Sequence, residues 1–314
     1  MSLLRVSNLT VETSLDGKTL VDDVSFSIEK GESVGIVGES GSGKSLSALS
    51  ILSLLPNGVR KRSGTVEFQG QEIAAENLQN IRGNRISMVY QDPMTSLNPM
   101  MKIGRQIEEV LEAHDLGKDS ARTLAALESV RIPEPEKCAN SYPHEFSGGM
   151  RQRVMIAIAL LLKPDLLIAD EPTTALDVTI QRQILNLVNE QKRANNASIL
   201  WISHDLGVVA EMVDKVIVMY AGRIVEVGTV AEIFENPRHP YTVGLIGSLI
   251  KRKHQQKMIS IPGTPPKPWT VTGQCGFADR CSRVLPNCTQ QKPELVELGR
   301  QSFACFNPFE GGLI

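Results

Sequence analysis

The sequence predicts an α/β fold: a parallel-sheet core with an antiparallel β subdomain, an inserted helical subdomain and a small cysteine-containing C-terminal extension. Three observations predict it. An apolar strand run, Ser33-Val34-Gly35-Ile36-Val37, leads into a glycine-rich turn and then a helical stretch over Leu46–Leu55. Short strand-like runs at Leu166–Ala169, Ser198–Ile202 and Val216–Met219 alternate with a helix over Val178–Gln191. Between them, from Gly104 to Leu162, the apolar period lengthens to that of helices.

The elements follow in order. Residues 3–34 alternate apolar and polar positions around turns at Asp16-Gly17 and Lys30-Gly31, which predicts antiparallel strands. Residues 64–73 read as a further pair of the same sheet, turning at Gln69-Gly70. Ile86–Tyr90 is a short strand stopped by Pro93. Ile107, Val110 and Leu111, then Leu124, Leu127 and Val130, then Met150–Leu162 mark helices, broken at Ile132-Pro133-Glu134-Pro135. Beyond Pro237 the prolines 262, 265, 266 and 268 mark a linker before the cysteine-bearing tail.

Composition narrows the function classes. The 314 residues, 41% apolar and 22% charged, suit a soluble chain of two domains. The longest apolar run, Val154–Leu162, is far short of the ~18 residues a bilayer span needs. The N-terminus lacks the build of a signal peptide, so a cytoplasmic location is expected. The net charge of −2 divides unevenly: residues 236–314 hold 10 Lys/Arg and 4 Asp/Glu, or +6, leaving −8 for residues 1–235. The basic residues of the tail are scattered rather than striped, weak grounds for a nucleic-acid or lipid partner. Five cysteines are too few for a disulfide scaffold in a chain this long.

Gly38-Glu39-Ser40-Gly41-Ser42-Gly43-Lys44-Ser45 fits G-x-x-x-x-G-K-[ST] between a strand and a helix. Its glycines let successive N–H groups face phosphate oxygens, and the helix N-terminus adds a favourable dipole. Lys44 is then expected on the β- and γ-phosphates and the Ser45 hydroxyl on Mg²⁺. Leu166–Ala169 ends in Asp170-Glu171, and the C-terminal end of a strand is where ligands sit in open parallel sheets. Asp170 is expected to hold Mg²⁺, and Glu171 to act as general base or to position the attacking water. Ser147-Gly148-Gly149 opens a long helix and reads as a second anion-binding N-terminus or an ordinary cap. Gln91 follows a strand, Ala175-Leu176-Asp177 follows the paired acids, and His204 ends another strand.

With these motifs in this order, residues 1 to about 235 resemble an ATP-binding cassette (ABC) transporter ATPase, with the P-loop NTPase fold of its nucleotide-binding domain. The resemblance implies ATP and Mg²⁺ as ligands, and two such subunits meeting head to tail. Each ATP would lie between one phosphate loop and the Ser147-Gly148-Gly149 of a partner. It implies that His204 supports the γ-phosphate and attacking water, that Gln91 senses Mg²⁺ and relays to a membrane partner, and that Asp177 organises the interface.

The stretches from Gln91 to Pro99, Tyr142 to Arg153 and Asn236 to Thr242 resemble the peptide/nickel-importer branch. That branch implies two transmembrane permease subunits, a second related ATPase (a heteromer over a homodimer) and an extracytoplasmic solute-binding protein, with no nucleic acid. This chain would lie at the cytoplasmic face of the inner membrane. Di- or oligopeptides are the expected cargo, with nickel, glutathione or another small solute as alternatives. A soluble ABC ATPase of DNA repair or translation would carry two cassettes or a coiled-coil or zinc-hook insertion, and none is evident. The implied division is an ATPase domain over 1–235, with its helical subdomain at about 92–162, and an extension over 236–314.

One departure concerns the base. The branch often places an aromatic near the N-terminus to stack on adenine; here none precedes Phe26, and Thr13 stands near the expected position. Weak discrimination among nucleoside triphosphates is the expectation. Tail cysteines Cys275, Cys281, Cys288 and Cys305 lack the close pairs typical of structural zinc. Iron–sulfur clusters tolerate wider spacing. The similar tail of the branch implies a [4Fe–4S] cluster, with zinc or free thiols, including a redox sensor, as alternatives. Cys138 reads as an ordinary thiol.

Overall fold

The computed structural model describes residues 2–173, 177–249 and 261–310, which fall into two compact units: 1–73 with 201–314, and 74–200. Ala175 and Leu176 lie outside the described residues.

The first unit opens with β1 (Ser2–Thr13) and β2 (Thr19–Glu29), antiparallel and alternately buried, as their apolar alternation requires. Strand β3 (Ser33–Val37) is buried throughout and feeds the glycine-rich turn and helix α1 (Lys44–Ile51). β4 (Val59–Phe68) pairs with β1, and β5 (Gln71–Glu72) with β4, so the expected second pair does join the first sheet.

The second unit begins at α2 (Leu78–Ile81) and β6 (Ile86–Val89) and passes through α3 (Pro93–Ser96). Helices α4 (Ile103–Ala113), α5 (Ser120–Ser129), α6 (Pro135–Ala139) and α7 (Gly148–Leu160) form its helical part. Ile103, Ile107 and Leu111 are buried along one stripe of α4, and the Asp119 carboxylate caps α5 by accepting the Arg122 N–H. Strand β7 (Leu166–Asp170) runs parallel to β6, Val89 opposite Ala169. Helix α8 (Val178–Asn195) and β8 (Ser198–Ser203) then carry the chain back to the first unit.

There α9 (Leu206–Met212) precedes β9 (Lys215–Tyr220), which runs parallel to β3 with Val34 opposite Lys215. β10 (Arg223–Thr229) turns back on β9; α10 (Val230–Glu235) and α11 (Pro240–Leu249) follow. Far from staying irregular, the tail returns as β11 (Val296–Leu298) and β12 (Gln301–Phe303), and β12 hydrogen-bonds to β10 at Glu226 and Val227. The fully buried β3, β7 and β8 are near-continuous apolar runs, which is what strands covered on both faces need. Among the described residues no helix is long and apolar enough to cross a membrane.

Where tail and sheet meet, a polar core forms. Glu226 is fully buried and accepts the backbone N–H groups of Arg238 (2.7 Å) and His239 (2.8 Å) and the Gln301 amide (2.7 Å). The buried His239 accepts the Tyr241 N–H at Nδ1. Burial depresses its pKa to about 3, so the folded protein keeps the ring neutral. As pH falls below the ordinary value of 6.5 the unfolded chain takes up a proton that the folded chain refuses. This group therefore removes stability from about 6.5 down towards 3. We expect the parent to lose about 2 kcal/mol more than His239→Gln between pH 7.5 and 5, at ~1.4 kcal/mol per unit. Urea unfolding at the two pH values tests this, and equal losses would show that the ring does not control the acid limb.

Candidate functional site

The glycine-rich turn, in the first unit, keeps the shape its sequence demands. Gly38 has φ +154°, and a Cβ there would lie 2.2 Å from the Met219 carbonyl oxygen, so no other residue fits. Gly43, in the left-handed region, opens α1, whose first turn holds no acidic residue to compete for an anion. Buried Lys44 donates from Nζ to the carbonyls of Gly38 (2.8 Å) and Glu39 (3.0 Å), which holds its ammonium against the turn.

Glu39 is gripped on three sides. Its N–H donates to the Tyr241 hydroxyl (2.8 Å), its carbonyl accepts from Lys44, and its carboxylate takes a forked pair from Arg280, at 2.6 and 3.1 Å. The Arg280 side chain is only 6% exposed. Burial works against its charge, but the Glu39 carboxylate and Tyr220 hydroxyl outweigh that and raise its pKa, so the guanidinium stays charged. Burial likewise raises the Tyr241 phenol, which stays protonated. Arg280 and Glu39 stand 241 residues apart, and no sequence signal joins them beyond the basic residue beside Cys281. His204, also in this unit, is exposed between β8 and α9.

In the second unit, the β6–β7 register brings two expected residues together. Gln91 follows β6 and Glu171 follows β7, and the Gln91 amide donates to Glu171 Oε2 at 3.2 Å. Asp170 is 5% exposed, and Glu171 has φ +45°, a strained backbone typical of functional positions. Ser147 is the N-cap of α7, its hydroxyl accepting the Met150 N–H at 3.3 Å. Ser147 and Gly148 are exposed, and a Cβ on Gly149 would lie 2.8 Å from Ile180 Cγ2, so glycine lets α7 approach α8. Asp177 is the N-cap of α8, accepting the N–H groups of Thr179 and Ile180, both at 3.0 Å.

The residues of the turn fit a magnesium-bound triphosphate. They offer a helix start, an ammonium and the Ser45 hydroxyl, and the Ser42 hydroxyl is buried with no hydrogen-bond partner, as a site built for a polar ligand leaves it.

The metal expected at the tail cysteines is not supported. Arg283 and Asn307 donate backbone N–H groups to Cys281 and Cys305, and Leu285 to Cys288. Among the described residues, however, no group of three or more His, Cys, Asp or Glu could hold a metal ion. Burial raises the thiols of Cys275 and Cys281 and pushes Cys305 up to about 12, and the neighbouring tail cysteines add to the rise. The [4Fe–4S] expectation at Cys275, Cys281, Cys288 and Cys305, and the zinc alternative, thus find no support among the described residues. Cys138 donates to the Pro133 carbonyl, as an ordinary thiol does.

Comparison with known proteins agrees with the motifs. Residues 21–174 match the family model described as ABC transporter, and residues 225–288 that of the oligopeptide/dipeptide transporter C-terminal region. The oligopeptide transport ATP-binding protein OppD of Escherichia coli is 48% identical over 320 residues, covering 98% of this chain and 94% of that protein. OppD of Bacillus subtilis is 48% identical, covering 94% and 86%. The dipeptide transport ATP-binding protein DppD of Lactococcus lactis is 46% identical, covering 96% and 89%. Among solved structures, the dimeric post-hydrolysis state of the ATP-binding cassette MJ0796 bound to ADP and Pi aligns with TM-score 0.64 and 27% identity, covering 72% of this chain and 98% of that one.

Arg280→Ala should destabilise the fold by about 2 kcal/mol, the scale of hydrogen bonds to charged groups. Combined with Glu39→Gln in a double-mutant cycle, the losses should fall short of additive, read by urea unfolding of the four proteins. Additive losses would show the two side chains to be uncoupled.

Proposed function

The chain belongs to the ABC transporter family, in its oligopeptide/dipeptide branch, and from that premise we propose that it is the ATP-hydrolysing subunit that energises a multi-subunit peptide importer. The observation that carries this reading is the junction of Gln91 with Glu171 at the ends of two parallel strands, in a chain that also holds the braced phosphate loop.

In this proposal the backbone of Gly38, Glu39, Ser40, Gly41, Ser42 and Gly43 cradles the phosphates, with Lys44 neutralising the β- and γ-oxygens. Ser45, Asp170 and Gln91 would hold Mg²⁺, which supplies charge neutralisation across the phosphates. Glu171 orients the attacking water and accepts its proton, and Gln91 fixes the Glu171 carboxylate by donating to one of its oxygens. His204 supports the γ-phosphate. The exposed Ser147-Gly148-Gly149 start of α7 serves the nucleotide of a facing subunit, and Asp177 shapes that interface while capping α8.

Two copies of the cassette, this one and a second related ATPase, would clamp on ATP and pass the motion to two membrane permease subunits fed by an extracytoplasmic binding protein. That places the chain at the cytoplasmic face of the membrane. Residues 1–235 act as the ATPase domain, with its helical subdomain at about 92–162. Residues 236–314 act as the extension that braces Glu39, a role that needs no metal. Peptides are the cargo most consistent with the relatives.

Glu171→Gln should cut hydrolysis about 10²–10⁴-fold, the range for loss of a general base, while ATP affinity stays near that of the parent. Phosphate release and equilibrium nucleotide binding check the two halves. Undiminished hydrolysis would remove Glu171 from its assigned role.

A further inference from the structure

A cavity of about 290 Å³ in the first unit lies where the tail covers the β1–β2 turn, close to the lower end of the ~300–1,000 Å³ range of small-ligand pockets. Lys18, Thr19, Asp22, Trp269 and Lys292 are among its walls. The cavity neighbours the phosphate loop through a short series of close contacts. A Cβ on Gly43 would lie 3.3 Å from the Leu20 carbonyl oxygen and 3.5 Å from Gly222 Cα. A Cβ on Gly222 would meet the same Leu20 oxygen at 2.7 Å and Pro268 at 3.2 Å. Trp269 is the next residue, in a 3₁₀ turn that packs on β2.

Trp269 is the available aromatic surface there. Of the two tryptophans, Trp201 is wholly buried in β8, whereas Trp269 is half-buried. Tyr220 and Phe277 also line the cavity, but both are buried and pack edge to face, centroids 5.2 Å apart. Thr13 spends its hydroxyl inside the β1–β2 turn, bonded to Asp16 and to the Lys18 N–H. The ammonium groups of Lys18 and Lys267 lie 5.8 and 5.4 Å from the Trp269 ring centroid. Both ride on flexible four-carbon stems, so they can yield the ring face and still neutralise a nearby anion. An aromatic face with two cations close by, beside a phosphate cradle, matches one ligand chemistry: a planar base carrying negative phosphates.

We propose that this cavity receives the base of the nucleoside triphosphate, stacked on Trp269 of the C-terminal extension. The proposal rests on the reading of Gly38–Ser45 as the polyphosphate cradle, and it gives the extension a direct part in nucleotide binding. Stacking tolerates any base, so it agrees with the weak base discrimination expected from the sequence.

The test compares Mg-ATP with Mg-tripolyphosphate, which has no base, on the full chain. Trp269→Ala should lose about tenfold in ATP affinity, the scale of one base–aromatic stack, with tripolyphosphate binding unchanged. Trp269→Phe should restore most of the loss, and ATP but not tripolyphosphate should quench the parent's tryptophan emission. ATP binding by Trp269→Ala equal to that of the parent would overturn the stacking role alone. A parent that binds neither ligand would overturn the cradle and the stack together.

Discussion

A loop that must present its backbone to an incoming polyphosphate has to be shaped from behind. Here that bracing comes from sequence far beyond the loop. Gly38 sits against the Met219 carbonyl, Gly222 donates its N–H to the Ser42 carbonyl, and Glu39 is fixed through its N–H, its carbonyl and its carboxylate. The forked Arg280–Glu39 pair is the most demanding of these contacts. Burial makes its charges costly when unpaired, so the pair ties the order of the loop to the docking of the tail.

Much of this was legible in the sequence. The strand and turn before Lys44, the β6 and β7 strands that lead to Gln91 and Glu171, and the helix opened by Ser147 all stand where periodicity and capping residues put them, while the helix read over Leu46–Leu55 starts earlier and closes at Ile51. These features are local: a glycine pattern, an apolar run or a serine before a helix is enough to specify them. The three-sided grip on Glu39 was not legible, because its partners lie 202 and 241 residues away and carry no periodic signal. The same holds for β12, three residues whose strand character comes from pairing with β10 rather than from propensity.

The cysteine tail shows the limit of reading spacing as chemistry. Four cysteines at wide intervals suggest a metal–thiolate site, yet among the described residues no group of three or more His, Cys, Asp or Glu could hold a metal ion, and the residues between them do other work. Arg280 braces the phosphate loop, Phe277 packs on Tyr220 and Tyr241, and Arg283 stacks on Phe309 at 4.5 Å. The tail is thereby built into the same compact unit as the phosphate loop.

The central claim is that nucleotide joins two subunits, the phosphate loop of one facing the Ser147-Gly148-Gly149 of the other. The most direct measurement is photolabelling with an azido-ATP analogue of a reconstituted complex in which only this chain carries Gly148→Asp. The account predicts that labelling of the partner ATPase falls while labelling of this chain's own loop persists. Loss confined to this chain's own loop would contradict it.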